Sequence, residues 1–155
     1  RNVIILGILA GAFIAFGAQL ATRLGAKISD PGIAILVFGS VFSVGLMLVV
    51  IAGAELFTGN NLMFMSVLGG HAKVSSMLYK WFVVYIANFI GSMLIVWMML
   101  KTDLVSGGVA DKAVAIAQAK VHLPFGAAFF RAILCNWLVC LAVWMALAAH
   151  DITGK

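Results

Sequence analysis

The chain has 155 residues, 65% of them hydrophobic and only 10% charged, with a mean hydropathy of +1.17. Soluble globular domains are about 45–50% apolar and about 25% charged, so the composition excludes that class and defines an all-α integral membrane protein. The formal net charge of +5 implies no nucleic-acid partner, because basic residues of membrane proteins collect in loops and at helix ends. Cys135 and Cys140 fall in one predicted spanning helix and share no closely adjacent face, so packing thiols are expected and no disulfide.

Residues 3–22 form the first predicted helix, uncharged and long enough to cross about 30 Å of hydrocarbon. Gly7, Gly11 and Ala15 recur on it at four-residue spacing, a small-residue face that lets another backbone approach closely. Arg23, Lys27 and Asp30 are expected in the next loop, and Pro31 suits a helix start, where a missing N–H costs nothing. The second spanning segment covers 32–52, with Phe42 and Leu46 on one face.

There the apolar run breaks at Gly-Ala-Glu-Leu-Phe-Thr-Gly-Asn-Asn (53–61). Residues 31–54 carry no charge and 62–68 are apolar again, so a carboxylate, a threonine, two asparagines and two glycines stand where a membrane helix should still run. Hydrocarbon tolerates such backbone only where protein buries it or a watery cavity adjoins it. An ionisable residue at that depth marks a functional site. A half-helix over 61–68 follows, closed by Gly69 and Gly70, and the polar residues before it are expected to cap its start. A half-helix N-terminus at mid-membrane attracts anions through its dipole and free N–H groups.

A loop over 71–76 contains Lys73, and a third spanning helix covers 81–100 between Lys80 and Lys101. Trp81, Tyr85 and Trp97 near its ends read as interfacial aromatics. A polar connection over 102–124 holds a short surface helix at 110–119. The fourth spanning helix covers 125–149, with Arg131 near its start and Asn136 well inside. The chain starts at Arg1, not Met, and stops just after a spanning segment, so it is expected to be a truncated part of a six-helix domain, 1–155 forming one transmembrane unit. With the N-terminus inside, the inner side holds Arg1, Lys73, Lys80 and Lys155, against Arg23, Lys27, Lys101, Lys112, Lys120 and Arg131 outside. That count favours the opposite orientation.

No metal-ligand spacing and no phosphate loop occurs, and His71, His122 and His150 all sit in loops or at helix ends. No enzyme, catalytic residue, metal or cofactor is expected. Each residue of interest has a bland alternative. Asn136 serves an interhelical hydrogen bond or lines a pore. Glu55 is a structural carboxylate paired with backbone N–H groups, since a bare carboxylate would repel an anion. Phe42, Leu46 and Phe57 are ordinary core residues, and Lys120 is a solvated loop charge.

The 53–60 stretch resembles the signature of the formate/nitrite transporter family, which includes hydrosulfide channels. Asn-Trp-Leu-Val-Cys-Leu-Ala-Val-Trp-Met (136–145) is similar to the family's fourth-helix motif, and Lys-Val-His (120–122) to the basic segment before it. The resemblance implies an aquaporin-like inverted-repeat helical bundle with a broken second helix, an N-terminus inside, and homopentamers in which each protomer has its own pore. It implies passage of small monovalent anions through a multi-pass protein of the bacterial inner (plasma) membrane. It places Phe42 and Leu46 at hydrophobic constrictions, with Leu56 and Phe57 in the gating loop and Val139 on the fourth helix. Thr58 and Asn136 would be the polar groups of the pore, and Lys120 would attract anions at the outer vestibule. Gly53, Glu55, Gly59, Asn60 and Asn61 would complete the broken-helix loop. The family's pore histidine belongs to a fifth helix that lies beyond these residues. Two other functions fit the residues: a neutral-solute channel of aquaporin type, which lacks support because neither Pro31 nor Pro124 lies in an Asn-Pro-Ala motif, and a non-transporting membrane scaffold.

Overall fold

The computed structural model describes residues 2–155 and contains seven helices among them. Four are long and apolar enough to cross a membrane: α1 (Val3–Gly25), α2 (Pro31–Ala52), α5 (Val74–Leu100) and α7 (Phe125–Ala148). Two short helices, α3 (Phe57–Asn60) and α4 (Met63–Leu68), carry the chain from α2 to α5, and α6 (Gly108–Val121) lies between α5 and α7.

Local signals set several ends. The Asn2 carboxamide caps α1 by accepting from the N–H groups of Ile4 and Ile5. The Asp30 carboxylate caps α2 by accepting from Ile33 N–H at 2.8 Å, with Pro31 in the first turn. Gly53 stops α2: at φ 64° it is left-handed, a conformation glycine reaches without strain. Its N–H and that of Ala54 turn back to the carbonyls of Val50 and Val49, the bonding pattern of a Schellman end.

The helices α1, α2 and α5 form the core, with α1 against both others. Their contact is made by small residues. Ala10, Ala21 and Val84 are fully buried, and Val84 is the one large side chain among them. Gly17 of α1 meets Gly45 of α2, where an added Cβ would lie 2.9 Å from the Gly45 Cα. Gly7 and Gly11 face α5, at Ala87 and Asn88, and Gly91 answers from α5 against Ile8. Apolar lipid gives helices no hydrophobic reason to associate, so close backbone approach supplies the attraction instead. Gly7 and Gly11 of the small-residue face of α1 are therefore occupied by packing within this chain.

Several expected bounds differ. Arg23 lies in the last turn of α1, not in the loop. The third spanning helix begins at Val74, not at 81, so Lys80 sits inside it. The half-helix expected at 61–68 begins earlier, at Phe57, and runs through a turn at Asn61 and Leu62 into α4. Lys120 is in the last turn of α6, not in a loop.

Candidate functional site: the break after the second helix

The break is held from both sides by side chains of α5 and α7. On the α5 side, the Asn88 carboxamide donates to the Glu55 carbonyl at 2.9 Å and to the Gly7 carbonyl of α1 at 2.8 Å. Its oxygen accepts from the Phe57 N–H at 2.9 Å. Glu55 N–H in turn donates to the Leu6 carbonyl at 3.2 Å. The start of α3 is thus capped from a neighbouring helix, because Leu56, its N-cap, offers no side-chain acceptor. The asparagines expected to cap the half-helix lie inside or after α3 instead.

One turn away, the Trp81 indole N–H donates to the Asn60 carbonyl at 3.0 Å. The Phe57 ring packs edge-on against Trp81 and Tyr85, at centroid distances of 6.2 and 5.4 Å. Trp81 and Tyr85 therefore serve the break rather than acting only as interfacial aromatics. Residues 81, 85 and 88 follow helical spacing, so one face of α5 supplies all three.

The Glu55 carboxylate pairs with Lys80, its two oxygens 3.1 and 3.2 Å from the ammonium. Its partner is a side chain and not the backbone N–H groups expected for it. A carboxylate inside a spanning region is costly unless paired, and Lys80 provides the charge.

On the α7 side, Asn61 donates to the Asn136 carboxamide oxygen at 3.0 Å. Asn136 donates to the Cys140 sulfur at 3.7 Å, and the Cys140 thiol donates to the Thr58 carbonyl at 3.3 Å. Cys140 is thus more than a packing thiol. Asn136, Val139, Cys140 and Val143 share one face of α7, all of them half-buried. Gly59 lets α3 approach that face: an added Cβ would meet Val143 at 3.5 Å.

A cleft of about 530 Å³ opens beside the break. Glu55, Leu56, Gly59 and Asn60 line it on one side and Val143 and Leu147 on the other, with Gly53 at its edge. The Asn60 side-chain nitrogen is buried and has no hydrogen-bond partner among the described residues. Phe42 and Leu46 lie outside this cleft, further back along α2, with the Phe42 ring stacked on Phe38 at 6.3 Å. Phe57 and Thr58 do not line the cleft either. A second groove of about 520 Å³ holds Lys120 and Lys112 of α6 against Pro31, Ile35, Phe38 and Gly39 of α2. The structure thus gathers the break residues with Asn136, and sets Phe42, Leu46 and Lys120 apart from them. The sequence reading missed Asn88, Lys80 and Trp81 as partners of the break. For Asn88 a signal exists, an amide inside a long uncharged stretch (81–100), the same kind of signal that singled out Asn136.

Among the described residues, no group of three or more His, Cys, Asp or Glu is placed to hold a metal ion. Four spanning helices, the second of them interrupted at Gly53 and continued by two short helices, with polar side chains converging on the break, define a multi-pass membrane protein. The family model for formate/nitrite transporters matches residues 1–155, and the chain belongs to that family. It is 40% identical to a probable formate transporter of Methanothermobacter thermautotrophicus, over 99% of this chain and 64% of the relative. It is 39% identical to a formate channel of Bacillus thuringiensis, over 99% of this chain and 61% of that protein. Among solved structures, a pentameric formate channel with formate bound superposes with a TM-score of 0.87 at 38% identity, covering 99% of this chain and 62% of the channel. The chain spans less than two thirds of the length of these relatives.

Proposed function

We propose that this chain forms part of the path by which a small monovalent anion crosses the membrane: formate, nitrite or hydrosulfide. The observation that carries the reading is the break itself, a polar segment between two apolar runs, bonded to Asn88 on one side and Asn136 on the other. The formate channels among its relatives support the substrate class, and the pentameric relative supports a homopentamer. Relatives from a bacillus and a methanogen support the plasma membrane of a prokaryotic cell.

In this reading the anion gathers at Lys120 and then meets the apolar side chains of Phe42 and Leu46. Desolvating a bare charge there is costly. Leu56, Phe57 and Val139 narrow the path near the break. The Thr58 and Asn136 polar groups lower the desolvation cost, and protonation to the neutral acid lowers it further. Gly53, Glu55, Gly59, Asn60 and Asn61 shape the loop that carries these groups.

The test is flux into proteoliposomes holding the protein, with formate, nitrite, hydrosulfide and glycerol compared across a pH series. The expected result is passage of a small anion that rises at acid pH, with glycerol excluded. Glycerol passage, or no anion flux at any pH, removes the reading.

A further inference from the structure

Asn88 is a polar residue that the transport path does not use. A carboxamide offers two N–H donors and one carbonyl oxygen. Both donors of Asn88 are engaged, by the carbonyls of Gly7 at 2.8 Å and Glu55 at 2.9 Å, and the oxygen accepts from Phe57 N–H at 2.9 Å. Its own backbone is fixed as well. The Ser92 hydroxyl donates to the Asn88 carbonyl at 2.6 Å, and Gly11 of α1 packs directly on that carbonyl. A single side chain therefore grips the break on both sides of Leu56 and ties it to α1.

We infer that Asn88 is a positioning residue for anion selectivity, setting where Leu56 and the first turn of α3 stand in the path while touching no substrate itself. The inference rests on the transport reading and deepens it. Its physical basis is that no other side chain replaces the carboxamide. Leucine offers neither donor nor acceptor. An ionised aspartate has no donor for the two carbonyls and sets a negative charge against them. Glutamine carries the amide one methylene too far. Without the amide, the Glu55 carbonyl and the Phe57 N–H lose their partners. The segment between them then re-seats to find others. A re-seated Leu56 changes the width of the opening, so anions of different size are affected unequally.

The experiment compares the wild-type protein with Asn88→Asp, Asn88→Ala and the milder Asn88→Ser in proteoliposomes, using formate and the larger acetate at one fixed pH. Assembly is followed by size-exclusion chromatography. Hydrogen exchange is followed at the Phe57 amide. Wild-type formate flux tests the transport reading by itself, and its absence overturns that reading whatever the variants do. Given that flux, the formate-to-acetate ratio is expected to change by about threefold or more, the factor that one interhelical hydrogen bond of average strength represents. Exchange at Phe57 is expected to quicken while α1 and α5 keep their protection. An unchanged ratio, with both anions slowed equally, assigns Asn88 to general stability and overturns the inference. Unchanged exchange at Phe57 does the same. Should Asp and Ala prevent assembly, the ratio in Asn88→Ser decides, because serine keeps one short donor and acceptor at the site.

Discussion

Asn61 and Asn136, far apart in the chain, share one hydrogen bond at 3.0 Å that joins the break to α7. The neighbouring Cys140 adds a second tie through the Thr58 carbonyl at 3.3 Å. Asn136 thus makes the interhelical bond that is the bland alternative for such a residue, and makes it to the segment proposed to carry the anion. Asn136→Leu should leave the Asn61 amide without its acceptor. Thermal unfolding in detergent should show a loss of about 0.6 kcal/mol, the average for such bonds in membranes, and no more than about 1.7. Asn61→Leu should cost a similar amount. The double variant should cost less than the sum, since each change removes the same bond. Simple additivity would show that the two amides are not coupled. Formate flux should fall in both single variants.

The contact of Gly11 with the Asn88 backbone leaves no room for a methyl group, and neither does that of Gly91 with Ile8. Gly11→Ala and Gly91→Ala should each force α1 and α5 apart. Overpacking of this kind typically costs about 1–3 kcal/mol, and these sites belong at the upper end because backbone atoms are in the way. Gly39 and Gly126 are the matched controls, since a Cβ there meets nothing within 4 Å. Alanine at either should be neutral or stabilising in the same unfolding measurement. Loss of the proposed oligomer with an intact monomer in Gly11→Ala would contradict the placement, because Gly11 faces its own α5.

How much of this was legible in the sequence depends on the range of the signal. The start of α2 at Asp30 and Pro31 and its end at Gly53 are local signals, and the chain shows both directly. The small-residue face of α1 was visible, but not its partner, because spacing names a face and not what covers it. The early start of α5 was hidden by Lys80, a charge that reads as a helix end. It stays inside the helix because Glu55 pairs with it from the break. Trp81 misled for a similar reason: a tryptophan near a helix end fits an interface, and its bond to the Asn60 carbonyl exists only once α3 is folded against α5. The helical geometry of 57–60 was also hidden. Thr58, Gly59 and Asn60 favour helix weakly, and the bonds that hold them come from Asn88 and Trp81 in another helix.

The Glu55–Lys80 pair is partly solvated, with side-chain exposures of 17% and 27%, so its strength lies between those of surface and buried pairs. Lys80→Met should cost about 1 kcal/mol or slightly more, the top of the range for exposed pairs, because it leaves a carboxylate unpaired inside the bundle. Glu55→Gln combined with Lys80→Met removes both charges and should recover most of that loss. A double variant no better than Lys80→Met alone would show that the lysine stem, not its charge, supports the break.

Lys112 and Lys120 stand two turns apart on α6, with Ile116 between them, and all three face the groove beside the first turns of α2. Phe38 lines that groove and stacks on Phe42, so the two ammonium groups sit at the approach to the first proposed constriction. Lysines on an exposed helix raise the local anion concentration without binding any one anion tightly. Lys120→Gln should therefore lower formate flux at low ionic strength, and Lys112→Gln should do the same. The double variant should lose more than either. All three deficits should shrink as salt is added and vanish near about 1 M, where the screening length falls to about 3 Å. A deficit in Lys120→Gln that persists at high salt would mean a direct contact with the passing anion instead of attraction from the mouth. Flux measured over a salt series in the same proteoliposomes separates the two.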